Sequence, residues 1–555
     1  MRNLAIPMIL WSFCARVATT AAQQPVVPQR PATETVTRRQ DQAEGQGDAG
    51  DQGGIDSAAA DDLESLLRLD LAGLARQNVA APSLQVPVTT VSRTESTVGK
   101  SPAAIFVITN DMIQRSAART IPDVLRMVPG VDVAQINANT PAVSSRGFSG
   151  RFANKLLVQI DGRAVYTPLF AGVRWDAQDV LLEDVERIEV IRGPGATVWG
   201  ENAVNGIINI ITKNAKDTQG VFVDAGAGDE WQSFGSARYG GQLGKNAHYR
   251  VWGKWFERDD APTAQGFPST GNDNWRMSHG GVRADWKPGC RDSFTFIGEY
   301  QDGFAGNRSL AFLAPGVPPP FGTPVPLDDS ADLAGGFALT RWTHEIDSER
   351  EWSAQLYFDR QERHSVFPAV FLGNDRNTID FDFQYHFPIG CRNQVVCGFG
   401  YRYQDDLVRN GRTTLFIPNE RALDTFHYFV QDRFTIQEDL LYFTAGSKFS
   451  HNDFTGFEMQ PSARVLFTPN ERTSIWGAVS RAVRTPSRSE DDLIVRIPAF
   501  APSLLLNGNR AFRSEELTSY EIGARAQPVE EFFWDVAAFY NDYTGLFTRV
   551  ARFQA

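Results

Sequence analysis

The chain has 555 residues, a formal net charge of −12 and a mean hydropathy of −0.29. It is too long for one ordinary soluble core, and its acidic balance argues against a protein that wraps nucleic acid. After the N-terminus no apolar run reaches the roughly twenty residues of a membrane-spanning helix, which excludes that class. This criterion does not exclude membrane-spanning β-strands, because such strands are apolar on only one face.

The first 61 residues predict export followed by a tether. Residues 1–22 have the order of a secretory signal peptide: Arg2 supplies positive charge, an apolar stretch follows, and small residues stand where cleavage would occur. Residues 23–61 are rich in Gln, Gly, Asp, Pro and Ala, so they bury too little surface to offset the entropy of ordering. We expect a disordered linker there, without a folded signalling domain.

Residues 62–95 are predicted to hold a short amphipathic helix and then an extended segment. Leucines recur at helical spacing over residues 63–74, with Asp61 or Asp62 as the N-cap. Residues 86–92 are rich in β-branched side chains and stand between the tether and the next domain. An exposed extended segment can pair with a partner protein through main-chain hydrogen bonds.

A mixed α/β domain is predicted over residues 96–217. Thr109 or Asn110 is the predicted N-cap of a first helix, and Thr120 is that of a second. Asp161–Gly162 is the predicted turn of a hairpin. Residues 186–192 and 206–212 are predicted as two strands around a glycine-rich turn. Gly200 is followed by Glu201 rather than by Lys and Ser or Thr, so this turn lacks the signature of a phosphate-binding loop.

From residue 220 onwards the apolar period is two. Over residues 379–387 aromatic and aliphatic side chains alternate with polar ones, which gives the strand one apolar and one polar face. Such strands fit a soluble sandwich or a membrane barrel. Long polar connections, such as residues 302–332 and 482–513, alternate with short turns, and tryptophans concentrate near strand ends. Both features favour the barrel.

Four motifs point to a family. Residues 144–168 and 192–213 (RGPGATVWGENAVNGIINIITK) resemble the plug domain of a TonB-dependent outer-membrane receptor, and residues 480–488 and 514–525 are similar to its late barrel segments. The resemblance implies an antiparallel transmembrane β-barrel of about 22 strands with an N-terminal mixed α/β plug in the lumen. Residues 218–555 hold about 15 to 16 candidate strands. We therefore expect a C-terminally truncated, incomplete barrel with a gap in its wall.

The same resemblance implies active uptake of a scarce ligand across the outer membrane of a Gram-negative bacterium, gated by the plug and energised by the TonB energy-coupling protein. A ferric siderophore is the first choice of ligand, and cobalamin, haem and carbohydrate are alternatives. We expect a monomer in contact with outer-membrane lipid, without cofactor, metal site or nucleic acid. A passive porin or an outer-membrane hydrolase is the alternative of another class. The sequence has no HExxH or GxSxG motif, which predicts that the chain is not an enzyme.

Outward loops of the plug supply the candidate ligand contacts, because arginine suits an anionic ligand and aromatic rings suit a planar one. The predicted ligand-binding residues are Asn137, Asn139, Arg146, Arg151, Phe152, Asn154, Tyr166 and Trp175. Phe148 is expected to pack the plug into the barrel. By resemblance, Arg146 and Arg192 pair with a barrel carboxylate, for which Glu521 fits, and so latch the plug to the wall.

The residues predicted to contact TonB are Val86, Val88, Thr89, Thr90 and Val91. Residues 34–37 (ETVT), within the tether, are the rival segment. For Cys391 and Cys397 the sequence allows either a disulfide between them or two free thiols.

Overall fold

A computed structural model describes residues 83–262, 271–311, 325–365, 373–411, 414–497 and 504–548. The chain divides into two compact units, Met1–Gln77 and Asn78–Ala555, and every described residue belongs to the second. The predicted signal peptide, linker, leucine-rich helix and rival segment lie outside the described residues. Within those six ranges no helix is long and apolar enough to cross a membrane.

The first part of the described chain folds as a small α/β domain. Its elements are β1 (Pro87–Val88), β2 (Ser96–Thr97), β3 (Ile105–Thr109), α1 (Asn110–Arg115), α2 (Ile121–Leu125), β4 (Val131–Asn137), β5 (Thr140–Ser145), β6 (Leu156–Ile160), β7 (Arg163–Ala164), β8 (Tyr166–Thr167), β9 (Gly172–Val173), β10 (Val185–Arg192), α3 (Ala196–Trp199) and β11 (Gly206–Thr212). A five-stranded sheet in the order β3-β10-β11-β6-β7 forms its centre. Apolar side chains of this sheet and of α1 and α2 form one buried core, which includes Ile108, Val124 and Ile208.

Local signals in the sequence set the ends of these elements. Thr109 caps α1 and Thr120 caps α2, and each hydroxyl accepts a hydrogen bond from the main-chain N–H three residues later. Asp161 and Gly162 have φ values of 52° and 84°, as the tight turn between β6 and β7 requires. The two predicted caps and the hairpin turn are confirmed.

The glycine-rich turn joins β10 to β11 through the single helical turn α3. Gly193 and Gly200 have φ values of 135° and 91°, which residues with a Cβ rarely adopt. A Cβ on Gly195 would lie 2.0 Å from Ile207 Cδ1. These glycines therefore serve close packing of the turn onto β11.

The rest of the described chain forms a 15-stranded antiparallel sheet, and most strands pair with their neighbours in sequence. Its elements and those of its connections are β12 (Gly220–Gly226), β13 (Trp231–Leu243), β14 (Ala247–Arg258), β15 (Trp275–Trp286), β16 (Asp292–Ala311), β17 (Val325–Glu345), β18 (Glu351–Ser365), β19 (Gly373–Ile389), β20 (Asn393–Arg409), β21 (Thr414–Phe416), β22 (Glu420–Gln437), β23 (Leu441–Asn452), β24 (Gly456–Asn470), β25 (Thr473–Arg484), α4 (Arg488–Asp491), β26 (Leu493–Ile497), β27 (Leu504–Asn507), β28 (Glu515–Val529) and β29 (Phe532–Thr544). Strands β21, β26 and β27 form a separate small sheet. The predicted strand count is confirmed, and among the described residues β12 and β29 do not pair with each other. Cys290, Cys391 and Cys397 are free thiols.

The two faces of the large sheet differ in polarity. On β19, Ile379 is 46% exposed on the outer face, whereas Asp380 is 5% exposed on the inner face. Trp286, Phe294 and Trp342 stack on neighbouring strands, with ring centroids 5.3 and 5.4 Å apart, in a row typical of a membrane interface. An apolar outer face and a polar inner face are the arrangement of a transmembrane barrel rather than of a soluble sandwich.

The α/β domain packs against the inner face of the sheet and is a plug. Arg163 on the plug pairs with Asp359 on β18 at 2.7 Å, and Asp179 pairs with Lys254 on β14 at 2.6 Å. Ion pairs therefore tie the plug to strands that are far apart in the sheet.

The two ends of the sheet differ in their connections. We call the end with the long connections, such as residues 485–514, the outward end, and the end with the short turns the inward end.

Candidate functional site

Asn139, one of the asparagines among the predicted ligand contacts, is engaged by the barrel. Asn139 is buried, and its Nδ2 donates to the carbonyls of Asp273 and Gly306 at 2.9 and 2.7 Å. Asn137 Oδ1 accepts the N–H of Asn139 at 3.2 Å. These bonds fix the β4–β5 hairpin to the outward end of the sheet. The Asn139 amide is thus occupied, which corrects the prediction that it faces a ligand.

Exposed groups remain on the loop between β5 and β6. Phe152 is 57% exposed and packs edge-on against Phe170, with ring centroids 5.1 Å apart. Arg151 is exposed, with its guanidinium 5.5 Å from the centre of the Phe152 ring, and Asn154 is half-buried. Arg151 and Phe152 are therefore the predicted residues that a ligand can reach from outside.

Two predicted aromatic contacts are buried instead. Tyr166 is 8% and Trp175 is 7% exposed. The Tyr166 carbonyl accepts a hydrogen bond from Arg376 Nη1 at 2.8 Å, and burial raises the pKa of the Tyr166 phenol. Trp175 belongs to the plug core. Both rings are therefore buried within the structure, and it is the main chain of Tyr166 that contacts β19.

Only one of the two arginines of the predicted latch pairs with Glu521. Arg146 Nη2 donates to Glu521 Oε1 at 2.5 Å, and both side chains are more than nine-tenths buried. The Arg146 guanidinium also lies 4.0 Å from the centre of the Phe539 ring. Arg192 forms no ion pair among the described residues, and its Nη1 donates to the carbonyl of Pro129 at 2.9 Å. Arg192 is therefore corrected from a partner of Glu521 to a brace within the plug, and Arg146 is engaged by the barrel rather than open to a ligand.

A second buried charge cluster lies where the motif of residues 480–488 meets the plug. Arg484 is fully buried and pairs with Glu490 at 2.8 Å and with Glu515 at 2.6 Å. Lys155 on the plug also pairs with Glu515. Phe148 lies next to this cluster, under the Lys155 ammonium, and packs edge-on against Tyr543 on β29. The contact with β29 agrees with a packing role for Phe148, although that ring is 44% exposed.

No sequence motif indicated a group of arginines at the outward end of the plug. Arg174 follows β9, Arg363 lies on β18 and Arg376 lies on β19, and all three line one cavity of ≈ 30 Å³, which we name the arginine cavity. Burial, helped by the charge of Arg363, lowers the pKa of Arg174 to about 9. Arg363 and Arg376 lie on paired strands of the barrel, and Arg174 is far from both in the sequence, so no local pattern joins the three.

The segment predicted to contact TonB is docked into the plug. We name residues 86–91 the coupling segment. Val88 and Thr90 are fully buried, and the main-chain N–H groups of Thr89 and Thr90 donate to the Glu189 carboxylate at 2.9 and 2.8 Å. Trp199 Nε1 donates to the Thr90 carbonyl at 2.6 Å. Only Pro87–Val88 form a strand and residues 90–92 form a turn, so the predicted extended backbone is confirmed for part of the segment, and the expectation that the segment is exposed is wrong.

An ion pair to the barrel lies just after the coupling segment. Arg93 Nη1 pairs with Asp382 on β19 at 2.8 Å. The Arg93 guanidinium also lies 4.3 Å from the centre of the Trp199 ring and 4.7 Å from that of Phe429. The start of the plug is thus held both to β10 and to the wall.

Two family models match this arrangement. The TonB-dependent receptor plug domain matches residues 97–207, and the TonB-dependent receptor-like β-barrel matches residues 217–555. The chain belongs to the TonB-dependent receptors. The relatives of this receptor are outer-membrane receptors and transporters rather than enzymes, which places it in the outer membrane of a Gram-negative bacterium.

Curated relatives match part of the receptor. It is 33% identical over 147 residues to the vitamin B12 transporter BtuB of Vibrio vulnificus, which is 26% of this chain and 23% of that one. It is 34% identical over 151 residues to BtuB of Vibrio cholerae, which is 27% of this chain and 24% of that one. The matched region thus spans less than a quarter of these relatives.

Solved structures share the fold. A mutant form of the ferric enterobactin receptor PfeA of Pseudomonas aeruginosa superposes with a TM-score of 0.66 at 18% identity, over 82% of this chain and 72% of that one. The siderophore receptor PirA of the same organism gives a TM-score of 0.60 at 18% identity, over 80% and 75% of the two chains. At this identity the likeness establishes the architecture of a plug inside a β-barrel.

Proposed function

We propose that this receptor actively takes up an anionic iron chelate, a ferric siderophore, across the outer membrane. The observation that carries the proposal is the arginine cavity at the outward end of the plug, because guanidinium groups recognise carboxylate and catecholate oxygens. Arg151 and Phe152, which are exposed beside it, add a cation and an aromatic surface. The receptor acts as a monomer surrounded by outer-membrane lipid.

Passage needs energy because the plug is held in place by buried charge pairs. Arg146 with Glu521 and Lys155 with Glu515 join the plug to β28. Separating one buried partner from another costs about 3–5 kcal/mol when a charge is left alone. A ligand outside and an energy source inside then act on one movable domain.

The coupling segment is the proposed handle for TonB. Once it is freed from Glu189, the segment presents main-chain groups with which a partner strand can pair. Release also breaks the contact of Trp199 with the Thr90 carbonyl. Residues 34–37, outside the described ranges, remain the rival handle.

Cobalamin is the second candidate ligand. The identity of 33 to 34% with the vitamin B12 transporter BtuB over about 150 residues favours it. The arginine cavity favours the anionic chelate instead. An uncharged amide of the corrin would leave the positive charge of the cavity without a counter-ion.

Uptake measurements in cells that express the receptor test the proposal. We expect a radiolabelled ferric siderophore to accumulate, and a protonophore to stop accumulation while binding at the cell surface persists. Accumulation that continues without the gradient would contradict active transport. Labelled cyanocobalamin, measured in the same cells, decides between the two ligands, and accumulation of cobalamin alone would favour the second.

A further inference from the structure

Arg174 lines the arginine cavity without an acceptor for its guanidinium. The guanidinium forms no hydrogen bond and no ion pair with any residue that the structure describes, its Nε is buried, and it lies 5.7 Å from the centre of the Phe170 ring. Arg376, which is 6% exposed and lines the same cavity, also has a buried Nε without a partner. An unmade hydrogen bond at a buried donor costs about 1–3 kcal/mol. Two such donors beside one cavity point to an occupant that supplies acceptors.

The charge around the cavity is positive because its acidic neighbours are engaged. Arginines hold each of them: Asp176 is bound by Arg363, Asp359 by Arg163 and Arg376, and Glu362 by Arg360. With a pKa of about 9, Arg174 is protonated at neutral pH. These three carboxylates face four arginines besides Arg174, so positive charge is in excess around the cavity and an anion is the complementary occupant.

The size of the cavity selects the kind of anion. A water molecule needs about 10–15 Å³ of such a volume, so ≈ 30 Å³ accepts a group of two oxygens but excludes an aromatic ring. A guanidinium presents two parallel N–H groups that match the two oxygens of a carboxylate. The body of a larger ligand would remain above, near Arg151 and the exposed Phe152.

We propose that the arginine cavity binds a terminal carboxylate of the transported chelate, with Arg174 as its principal partner. The inference rests on the proposed function and narrows the ligand class to iron chelates that carry a free carboxylate. A catecholate or corrin ligand without such a group would leave the cavity unfilled.

Calorimetric titration of the purified receptor in detergent tests the site, with ferric citrate, citrate and the uncharged trimethyl ester of citrate as probes. Ferric citrate and citrate should bind and the ester should not. Arg174→Gln should weaken binding of both anions by at least about tenfold, and Arg174→Lys should recover part of the loss. Arg276→Gln, on an exposed arginine of β15 outside the cavity, is the matched control and should bind like the unaltered receptor.

Three results would overturn the site: no binding of ferric citrate or citrate, equal binding of the ester, or full affinity in Arg174→Gln. The comparison of citrate with its ester uses the unaltered receptor, so it decides even where a variant fails to fold. Inorganic phosphate that binds as tightly as citrate would overturn the carboxylate class. Gradient-dependent uptake of cobalamin by a receptor that does not bind citrate would rule out the site but leave active transport standing. Citrate binding without gradient-dependent uptake of ferric citrate would leave the site standing but rule out the proposed transport.

Discussion

At the scale of the residue, Arg146 and Glu521 are the contact through which the plug is tied to β28. Both side chains are more than nine-tenths buried, and Glu521 also lies against Gly193 in the turn after β10. A Cβ on Gly193 would be 2.6 Å from Glu521 Oε1, so the pair can form only because the turn has no side chain there. The glycine-rich turn and the latch are therefore one structure.

Glu521→Gln should destabilise the docked plug by about 3–5 kcal/mol, because it leaves the buried Arg146 charge without a counter-ion. Denaturant unfolding of the plug, followed by tryptophan fluorescence in detergent, measures the change. Glu516→Gln is the matched control on the same strand: Glu516 is 46% exposed and pairs with Arg481, so its loss should cost at most about 1 kcal/mol. Equal effects of the two substitutions would contradict the latch.

Residues of the latch and of the arginine cavity show what a sequence can reveal about a site. Glu521 was predictable because it lies in a motif, residues 514–525, that resembles the family. Arg174 was not, since its neighbours Arg363 and Arg376 belong to strands far along the chain and only the folded sheet brings them together. Arg192 was misassigned because the sequence did not show that the nearer acceptor is the Pro129 carbonyl.

At the scale of the element, the coupling segment is a two-residue strand followed by a turn, held by the Glu189 carboxylate together with Trp199 and Asn209. Its β-branched residues predicted an extended backbone, which the pairing of β1 with β2 confirms at Pro87–Val88. Its burial could not be predicted, because the acceptor Glu189 lies on β10, about a hundred residues away, and an alternating strand gives no sign of which carboxylate turns inward. Glu189 is fully buried, whereas Glu186 on the same strand is exposed.

Glu189→Gln should loosen the coupling segment, since an amide oxygen accepts hydrogen bonds more weakly than a carboxylate. The readout is the rate at which a maleimide labels Ser92→Cys, just beyond the segment, in a purified receptor whose free thiols Cys290, Cys391 and Cys397 are replaced by serine. Labelling should be about tenfold faster with Glu189→Gln and unchanged with the control Glu186→Gln. A rate that both substitutions raise equally, or that neither alters, would mean that Glu189 does not hold the segment.

At the scale of the whole molecule, the plug and the sheet form one charge-paired assembly. Strands β14, β18, β19 and β28 each contribute at least one ion pair to the plug. Alternation of polar and apolar residues predicted a polar inner face, and the resemblance predicted a plug within it. The individual pairs could not be predicted, because they depend on the register of strands around the sheet. Docking should therefore respond to conditions that neutralise carboxylates.

Asp179 makes that response measurable. Burial alone would raise the pKa of its carboxyl, but Lys254 and His279 outweigh burial and hold the pKa at about 2, down from 3.8. A carboxyl whose pKa is lowered by folding stabilises the docked plug above its unfolded pKa and loses that contribution as the pH falls through its folded pKa. The contribution of Asp179, about 2 kcal/mol, should be constant from pH 7 to about pH 4 and disappear towards pH 2.

Unfolding of the plug, measured in detergent from pH 7 to pH 2, tests this window. Asp179→Asn should be less stable than the unaltered receptor at pH 7, and the difference should close as the pH falls from about 4 towards 2. Asp217→Asn, at an exposed carboxyl of the plug, is the control and should follow the unaltered receptor throughout. A difference between Asp179→Asn and the unaltered receptor that persists at pH 2 would show that packing, rather than the charge of Asp179, joins the plug to β14 and β15.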